Sequence, residues 1–522
     1  LKTIAILRGG VSLTFSLSRQ FETAIVLGLL LLATWLYWRE PITVPAGLEM
    51  DELIEAQIAE QVIAGNWNPF YEPGQGREGL YYYWLAGWLT LLGQHVFTLR
   101  MASATLSLLG LAVGYAFVRR LFGPSIALLS LAYAITTFWT LFAARSGLRS
   151  TSLPFLAGLS GYFIWRGHGL SRPTNSDKRD WLFMGLGGIC LGLTFYAYTA
   201  ARVLPLVFLL FIGYLYLFHR SRVTERYRNI WLMAAAAFVT VLPLFYYLQA
   251  HPDADQFAFL DFNRPLAALQ QGDPLPALQT SRETWGMFTF KGDPLIFNNV
   301  PGKPVFDPLN GFLFLIGLVL AVRHFRQPAY ALVLIWLFVS LLPGMFSQPA
   351  PNFYRTVNAQ VVAFVFPALA IVVLGRFLHR LSTRHSPKLK GYVLYPLMGL
   401  LIFSLLVSQL SRTWQAYFVQ WPQIEGISFF WQRSLAEASR YLEKDTQITP
   451  VAICTGLTYE QDPWWRPAWQ SVPYLLYRDD LAVRYFDCRH TLVLPAGSSA
   501  RYLFPEVHDP VTVLPPEFQG DW

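Results

Sequence analysis

Leu80-Tyr-Tyr-Tyr-Trp-Leu-Ala-Gly-Trp-Leu-Thr-Leu-Leu-Gly93 is apolar but short, and the fold turns on whether it crosses a membrane. Eleven other apolar runs surround it, near 23–38, 101–118, 124–142, 151–165, 181–196, 203–218, 230–248, 309–322, 329–346, 357–375 and 392–409. At about 14 to 20 residues each, they read as membrane spans. Basic clusters at Arg119/Arg120, Arg166–Arg179, Arg220–Arg228, Arg323/Arg326 and Arg376–Lys390 recur after every second span. With the amino terminus they hold 20 of the 40 Lys and Arg residues, against three acids, Asp177, Asp180 and Glu225. Cytoplasmic loops carry the excess of Lys and Arg, so all these clusters belong on the cytoplasmic side. If 80–93 crossed the bilayer, every later cluster would fall on the wrong side. Its length and its Tyr and Trp content fit a helix lying in the interface instead.

Composition supports an α-helical polytopic membrane protein of about eleven transmembrane helices. The 522 residues are 54% hydrophobic and 14% charged, whereas soluble domains carry about 25% charged residues. A soluble enzyme and a disordered chain are excluded. The net charge of +8 reports topology rather than a nucleic-acid partner. Lys2, Arg8 and Arg19 precede the first run and no small-residue cleavage site follows it, so the first span is retained. The chain begins with Leu, as a trimmed or alternatively started chain would.

Eleven spans starting inside leave three large segments outside: 39–100, 249–308 and 410–522. Residues 1–409 form the transmembrane domain. The tail has soluble composition, with strand-like Val451–Cys454 and Thr491–Leu494 and helical Ser434–Leu442, and reads as a small external α/β domain, open to truncation. Cys454 and Cys488 share it, either paired or as two buried thiols.

The chemistry-bearing residues gather outside. Segment 39–78 carries eight acids against Arg39 and Arg77. Within it Gly47–Gly65 reads as an amphipathic helix ended by glycine. At 100° per residue Asp51 falls with Ile54, Ile58 and Val62 on the inward face, and Glu49, Glu52 and Glu60 turn away. Asp51 there serves either as a general base in a partly dry pocket or as a cap on the helix dipole.

An order of motifs follows: Asp51-Glu52, Gly65-Asn-Trp67, Leu80-Tyr-Tyr-Tyr-Trp-Leu85, Leu91-Leu-Gly93, Arg100 before a small-residue span, Arg119-Arg-Leu-Phe-Gly123 and Phe142-Ala-Ala-Arg-Ser-Gly147. In that order and spacing the chain resembles the polyprenyl-phosphate-sugar-dependent glycosyltransferases of the GT-C superfamily, which include the protein O-mannosyltransferases and the lipid A aminoarabinose transferases. The likeness covers roughly residues 20–165 and extends loosely to about 420, through Asn299–Pro304, Asp307–Gly311 and Asn352–Arg355.

The resemblance implies that Asp51 is the catalytic base with Glu52 beside it, and that Tyr81, Tyr82 and Arg100 shape the site. Arg77-Glu78 stands where several relatives carry a basic residue with prolines, which leaves the role of that position open. The implied reaction is inverting sugar transfer from a polyprenyl phosphate to a protein, lipid or glycan acceptor at the outer face of a prokaryotic cytoplasmic membrane. Its leaving group is a phosphate, so cations belong nearby. Arg145, Arg149, Arg202, Lys303 and Arg355 are the external candidates, with Tyr198 one turn from Arg202 to orient the phosphate; each serves equally well as a snorkelling or ion-paired residue. No cofactor is required. Asp253 and Asp255 form an Asp-x-Asp that can share a divalent cation or simply make the loop polar. The rival reading is a transporter or flippase. Its ionisable groups would sit at mid-membrane and its halves would look alike; here the charges gather at the external ends of the spans.

Overall fold

The computed structural model describes residues 18–73, 76–170, 179–255, 263–385, 394–455, 468–487 and 499–505. Helix α1 (Arg19–Trp38) is capped by Ser18, whose Oγ accepts from the Phe21 N–H at 3.2 Å. Helix α2 (Met50–Ile63) starts with a capping box, in which the Glu49 N–H donates to Glu52. A two-strand antiparallel ribbon, β1 (Phe70–Tyr71) and β2 (Arg77–Glu78), leads into α3 (Leu80–Leu92). At 13 residues α3 is about 20 Å long, too short for a bilayer core of about 30 Å. It packs beside α2 instead.

The bundle begins with α4 (Val96–Phe122), then α5 (Pro124–Thr136) and α6 (Phe138–Arg145), which are bent 65° from each other. It continues through α7 (Ser152–His168), α8 (Asp180–Leu193), α9 (Leu204–Phe218), α10 (Arg220–Thr224) and α11 (Tyr227–Ala250). Two helices, α12 (Arg264–Gln270) and α13 (Leu275–Gly286), occupy the next connection. The remaining bundle helices are α14 (Pro308–Arg323), α15 (Pro328–Met345), α16 (Gln360–Ala363), α17 (Val365–His385) and α18 (Tyr395–Trp414).

Every predicted apolar run falls in a helix, except the start of 392–409, which lies outside the described residues. By length and composition, seven described helices can cross a membrane, or eight if the bent α5–α6 pair is one span. The remaining runs lie in α7, α8 and α14, helices of 17 residues or fewer. Close contact brings such helices into the bundle: a Cβ on Gly188 of α8 would meet the Met233 carbonyl of α11 at 2.2 Å. The chain is a multi-pass membrane protein.

Beyond α18 come α19 (Ile427–Phe430) and α20 (Arg433–Lys444), then a parallel sheet in the order β4 (Val483–Phe486), β3 (Val451–Cys454), β5 (Arg501–Leu503), with α21 (Val472–Leu475) between β3 and β4. Cys454 is disulfide-bonded; Cys488 and Thr491–Leu494 lie outside the described residues. This segment shares a hydrophobic core with the first loop, where Leu53, Ile58 and Tyr82 pack with Leu435, Val451 and Leu475. Gly47 shows how close the contact is. Its φ is +94°, and a Cβ there would lie 1.8 Å from the Trp431 carbonyl oxygen.

The shared core corrects the helical-wheel reading of α2. Leu53, Ala56 and Ala59 are buried along with Ile54, Ile58 and Val62. The helix is enclosed on most sides, because the C-terminal segment covers the face that the pattern assigned to solvent. Glu60 accepts from the Tyr474 hydroxyl, and Gln57 donates to Gln470 at 2.7 Å.

Candidate active site

Three carboxylates leave the first turns of α2 in different directions. Glu52 is fully buried and takes Arg100 in two bonds, from Nε at 3.1 Å and Nη2 at 3.0 Å. The same guanidinium donates to the carbonyls of Pro41, Pro45 and Gly47 and lies 5.3 Å from the Trp431 ring centre. Arg100 is therefore saturated, and the pair ties α2 to α4 and the preceding loop.

Glu55, also fully buried, accepts from Arg77 Nη1 at 2.9 Å and Arg149 Nη1 at 3.2 Å. Arg149 reaches on to Glu78 through Nε at 3.1 Å and lies 5.3 Å from the Tyr198 ring centre. Glu78 accepts from Thr199 Oγ1 at 2.7 Å. Behind it, Arg202 pairs with Asp255 at 2.7 Å. Charges alternate along this row, as desolvated ion pairs require.

Asp51 ends the row differently. Arg77 Nη2 meets its Oδ1 at 2.5 Å, yet its side chain is 51% exposed while that of Arg77 is 5% exposed. Burial in the cleft works to raise the Asp51 carboxyl; the charge and hydrogen bond of Arg77, with Arg149 beyond, prevail and hold it below its usual range. Glu49 goes the other way, driven well up by burial and by the charge of Asp51.

Asp51, Glu55, Arg77 and Arg149 form one wall of a cavity of about 450 Å³, faced by Tyr198, Tyr354 and Arg355. Arg355 is delivered by a constrained loop. Asn352 Oδ1 accepts from the Tyr354 and Arg355 N–H groups, and the Arg355 Nη1 donates to the Gln348 carbonyl at 2.9 Å. Asp293, fully buried, accepts from the Phe353 N–H at 2.8 Å, the Leu295 N–H at 2.9 Å and Asn298 Nδ2 at 3.0 Å. Burial pushes the Asp293 carboxyl up to about 6.

Of the sequence candidates, Asp51, Arg77, Arg149, Tyr198 and Arg355 line one cavity, with Glu78 and Arg202 directly behind it. Others stand elsewhere. Glu52 points inward rather than away from the protein, because Arg100 draws it there. Arg145 is 1% exposed and donates to the carbonyls of Leu36, Tyr37, Glu40 and Val44, satisfying the end of α1. Lys303 donates to the Arg412 carbonyl at 2.7 Å. The Tyr81 hydroxyl donates to the Gly147 carbonyl, and Tyr82 is buried among the packed aromatics. Asp253 is exposed and Asp255 is turned onto Arg202. Among the described residues no group of three or more His, Cys, Asp or Glu is placed to hold a metal. The two carboxylates on the cavity each face arginine instead.

Sequence reasoning missed Glu55, Tyr354 and Asp293. Glu55 lies four residues after Asp51, one helical turn, and that spacing was the available signal. Asp293 has no local signal, since its role arises from a contact 60 residues away.

Residues 47–253, the segment that supplies Asp51, Arg77, Arg149, Tyr198 and Arg202, match the profile of the family described as dolichyl-phosphate-mannose-protein mannosyltransferase. The fold is that of the Archaeoglobus fulgidus oligosaccharyltransferase in its apo form, with a TM-score of 0.52 at 13% identity over 88% of this chain. The family match takes in the first loop and the helices that follow it, and the structural likeness shows a shared fold. This chain spans 64% of the archaeal enzyme's length. It is also similar to ArnT from Cupriavidus metallidurans, apo and bound to undecaprenyl phosphate, with TM-scores of 0.49 and 14% identity in both. Those likenesses cover 87% and 88% of this chain and 85% and 87% of ArnT. No curated protein matches this chain by sequence.

Proposed function

We propose that this chain is a membrane glycosyltransferase that moves a sugar from a polyprenyl-phosphate donor to an acceptor hydroxyl or amine at the external face of a prokaryotic cytoplasmic membrane, with inversion and with Asp51 as general base. The observation that carries this reading is the placement of Asp51, the half-exposed carboxylate of the row, on the same cavity as Arg149 and Arg355. The acceptor attacks the anomeric carbon, the bond to the phosphate oxygen breaks, and the phosphate leaves with the electron pair. The acceptor's proton passes to Asp51. Arg77, Arg149 and Arg355 oppose the charge that develops on the phosphate, with Tyr198 beside them.

A carboxylate held by Arg77 is a weak base. Donor phosphate competes for that guanidinium, so the basicity of Asp51 rises as the donor arrives. The arginines supply the positive charge that a metal supplies elsewhere, so turnover should survive chelation by EDTA. The family's printed substrate, a lipid-phosphate-linked mannose, supports the donor class.

The test incubates purified protein with a labelled prenyl-phosphate sugar and candidate acceptors. Released prenyl phosphate together with a glycosylated product is expected from the wild type and lost in Asp51→Asn. Movement of label across a vesicle membrane without covalent product would instead indicate a transporter. Reporters fused after Arg120 and after Leu410 should read cytoplasmic and external, and the reverse at either point would overturn the orientation.

A further inference from the structure

A second cavity, of about 480 Å³, lies between α1, α5, α17 and α18. It sits at the other end of the bundle from Asp51. The C-terminal end of α1 meets Arg145 and the first external loop, and Trp35 there stacks on Trp414 at the end of α18. The groove takes the opposite halves of the same helices, including Ile25 and Leu29 of α1 and Tyr395, Met398, Ile402 and Leu406 of α18.

Its lining is graded. Only Ser125, Arg376, His379 and Tyr395 are polar, and all four sit toward the same end, near the start of α5, the later part of α17 and the start of α18. Ala132, Ile371, Ile402 and Leu406 close the deep end with apolar surface. Protein side chains leave the space open: a Cβ on Gly399 would meet nothing within 4 Å, and one on Gly375 would meet only Met398 Cε at 3.4 Å.

The mouth is cationic. Arg376 is exposed and makes no ion pair with a described acid. His379 Nδ1 lies 3.0 Å from the Tyr395 hydroxyl. Within the described part of α17, from Gly375 to Arg380, the sequence holds two arginines and no acid. A groove with an apolar depth and a cationic mouth complements a molecule with an acyl tail and a phosphate head.

We propose that this groove binds an anionic phospholipid of the leaflet opposite the Asp51 cavity, with an acyl chain along α1 and α18 and its phosphodiester on Arg376 and His379. The site is independent of the transfer reading. A polar-headed lipid wedged there would brace α1 and α18, both of which expose much of their surface to the bilayer.

Full-length protein in neutral detergent, titrated with phosphatidylglycerol or phosphatidylcholine of matched chains and read by native mass spectrometry, tests the site. One phosphatidylglycerol should be retained in preference to phosphatidylcholine. Arg376→Gln should weaken it about fivefold, the effect of one interfacial cation, and leave phosphatidylcholine unchanged. Gly399→Phe, which grows into open space, should displace both lipids, while Asp51→Asn alters neither. Equal retention of the two lipids by the wild type, or undiminished binding in Gly399→Phe, would overturn the proposal. So would a prenyl phosphate that outcompetes phosphatidylglycerol. Should Gly399→Phe fold poorly, the surface change at Arg376 decides alone.

Discussion

Asp51 and Glu52 are consecutive on α2, and each meets an arginine, yet the two ion pairs live in opposite surroundings. Glu52 and Arg100 are sealed, with side chains 0% and 2% exposed, and the guanidinium spends its remaining protons on three carbonyls. Asp51 holds Arg77 with its own side chain half open to a cavity that also takes Arg149 and Arg355. A sealed pair can only hold the fold together. An open one can exchange its partner for a ligand.

The sharpest way to break that contrast is to neutralise each acid. Asp51→Asn should lower turnover by about 10²- to 10⁴-fold, as loss of a general base does, with unchanged membrane yield and unfolding temperature. Glu52→Gln should do the reverse, cutting yield and stability first. Equal losses of activity at equal stability would erase the distinction between the two sites.

Truncating the sealed cation comes next. Arg100→Met strands Glu52 in the interior and should cost about 3–5 kcal/mol, read as a fall in thermal midpoint. An unperturbed midpoint would mean that the pair is not a structural tie. On the open side, Arg149→Lys and Arg355→Lys keep the charge but lose the planar fork. Each should reduce kcat/KM on the order of tenfold or more, with folding intact for Arg355→Lys. Kinetics indistinguishable from the wild type would remove that arginine from the phosphate site.

The smallest effect concerns the loop that carries Arg355. The Asp293 carboxyl rises from 3.8 to about 6 in the folded protein. Its protonated form is favoured by folding, so the associated stability is full below pH 4 and is lost as pH rises through 6. Relative to Asp293→Asn, the wild type should lose on the order of 2–3 kcal/mol between pH 4 and pH 7. Parallel unfolding temperatures for the two proteins across that range would exclude the carboxyl as the source.

The helical regions were legible because a bilayer imposes one local demand, a long apolar run, that sequence displays directly. The run at 80–93 forms a helix of 13 residues packed beside α2, shorter than the helices that can cross a membrane. Val451–Cys454 and the helix over Ser434–Leu442 were visible from their own periodicity. The wheel drawn on α2 failed because Leu435, Val451 and Tyr474 cover a face that nothing within residues 50–63 could reveal.

The same limit governs the candidate site. Reading the chain alone located an acidic first loop, singled out Asp51 and named Arg149, Arg202 and Arg355 among the cations. It could not divide those cations between the cavity and the interior. Arg145, Arg149 and Lys303 all carry charge near the ends of apolar runs, and only their partners distinguish them: carbonyls at the end of α1, the acids of the row, and the Arg412 carbonyl. Apolar patterning and net charge accumulate residue by residue along the chain, so the sequence by itself determined the membrane embedding and the polarity of the loops. The ion pairs of Asp51, Glu52 and Glu55 join residues 22 to 94 positions apart, so only the tertiary structure decided which carboxylate faces the cavity and which is locked away.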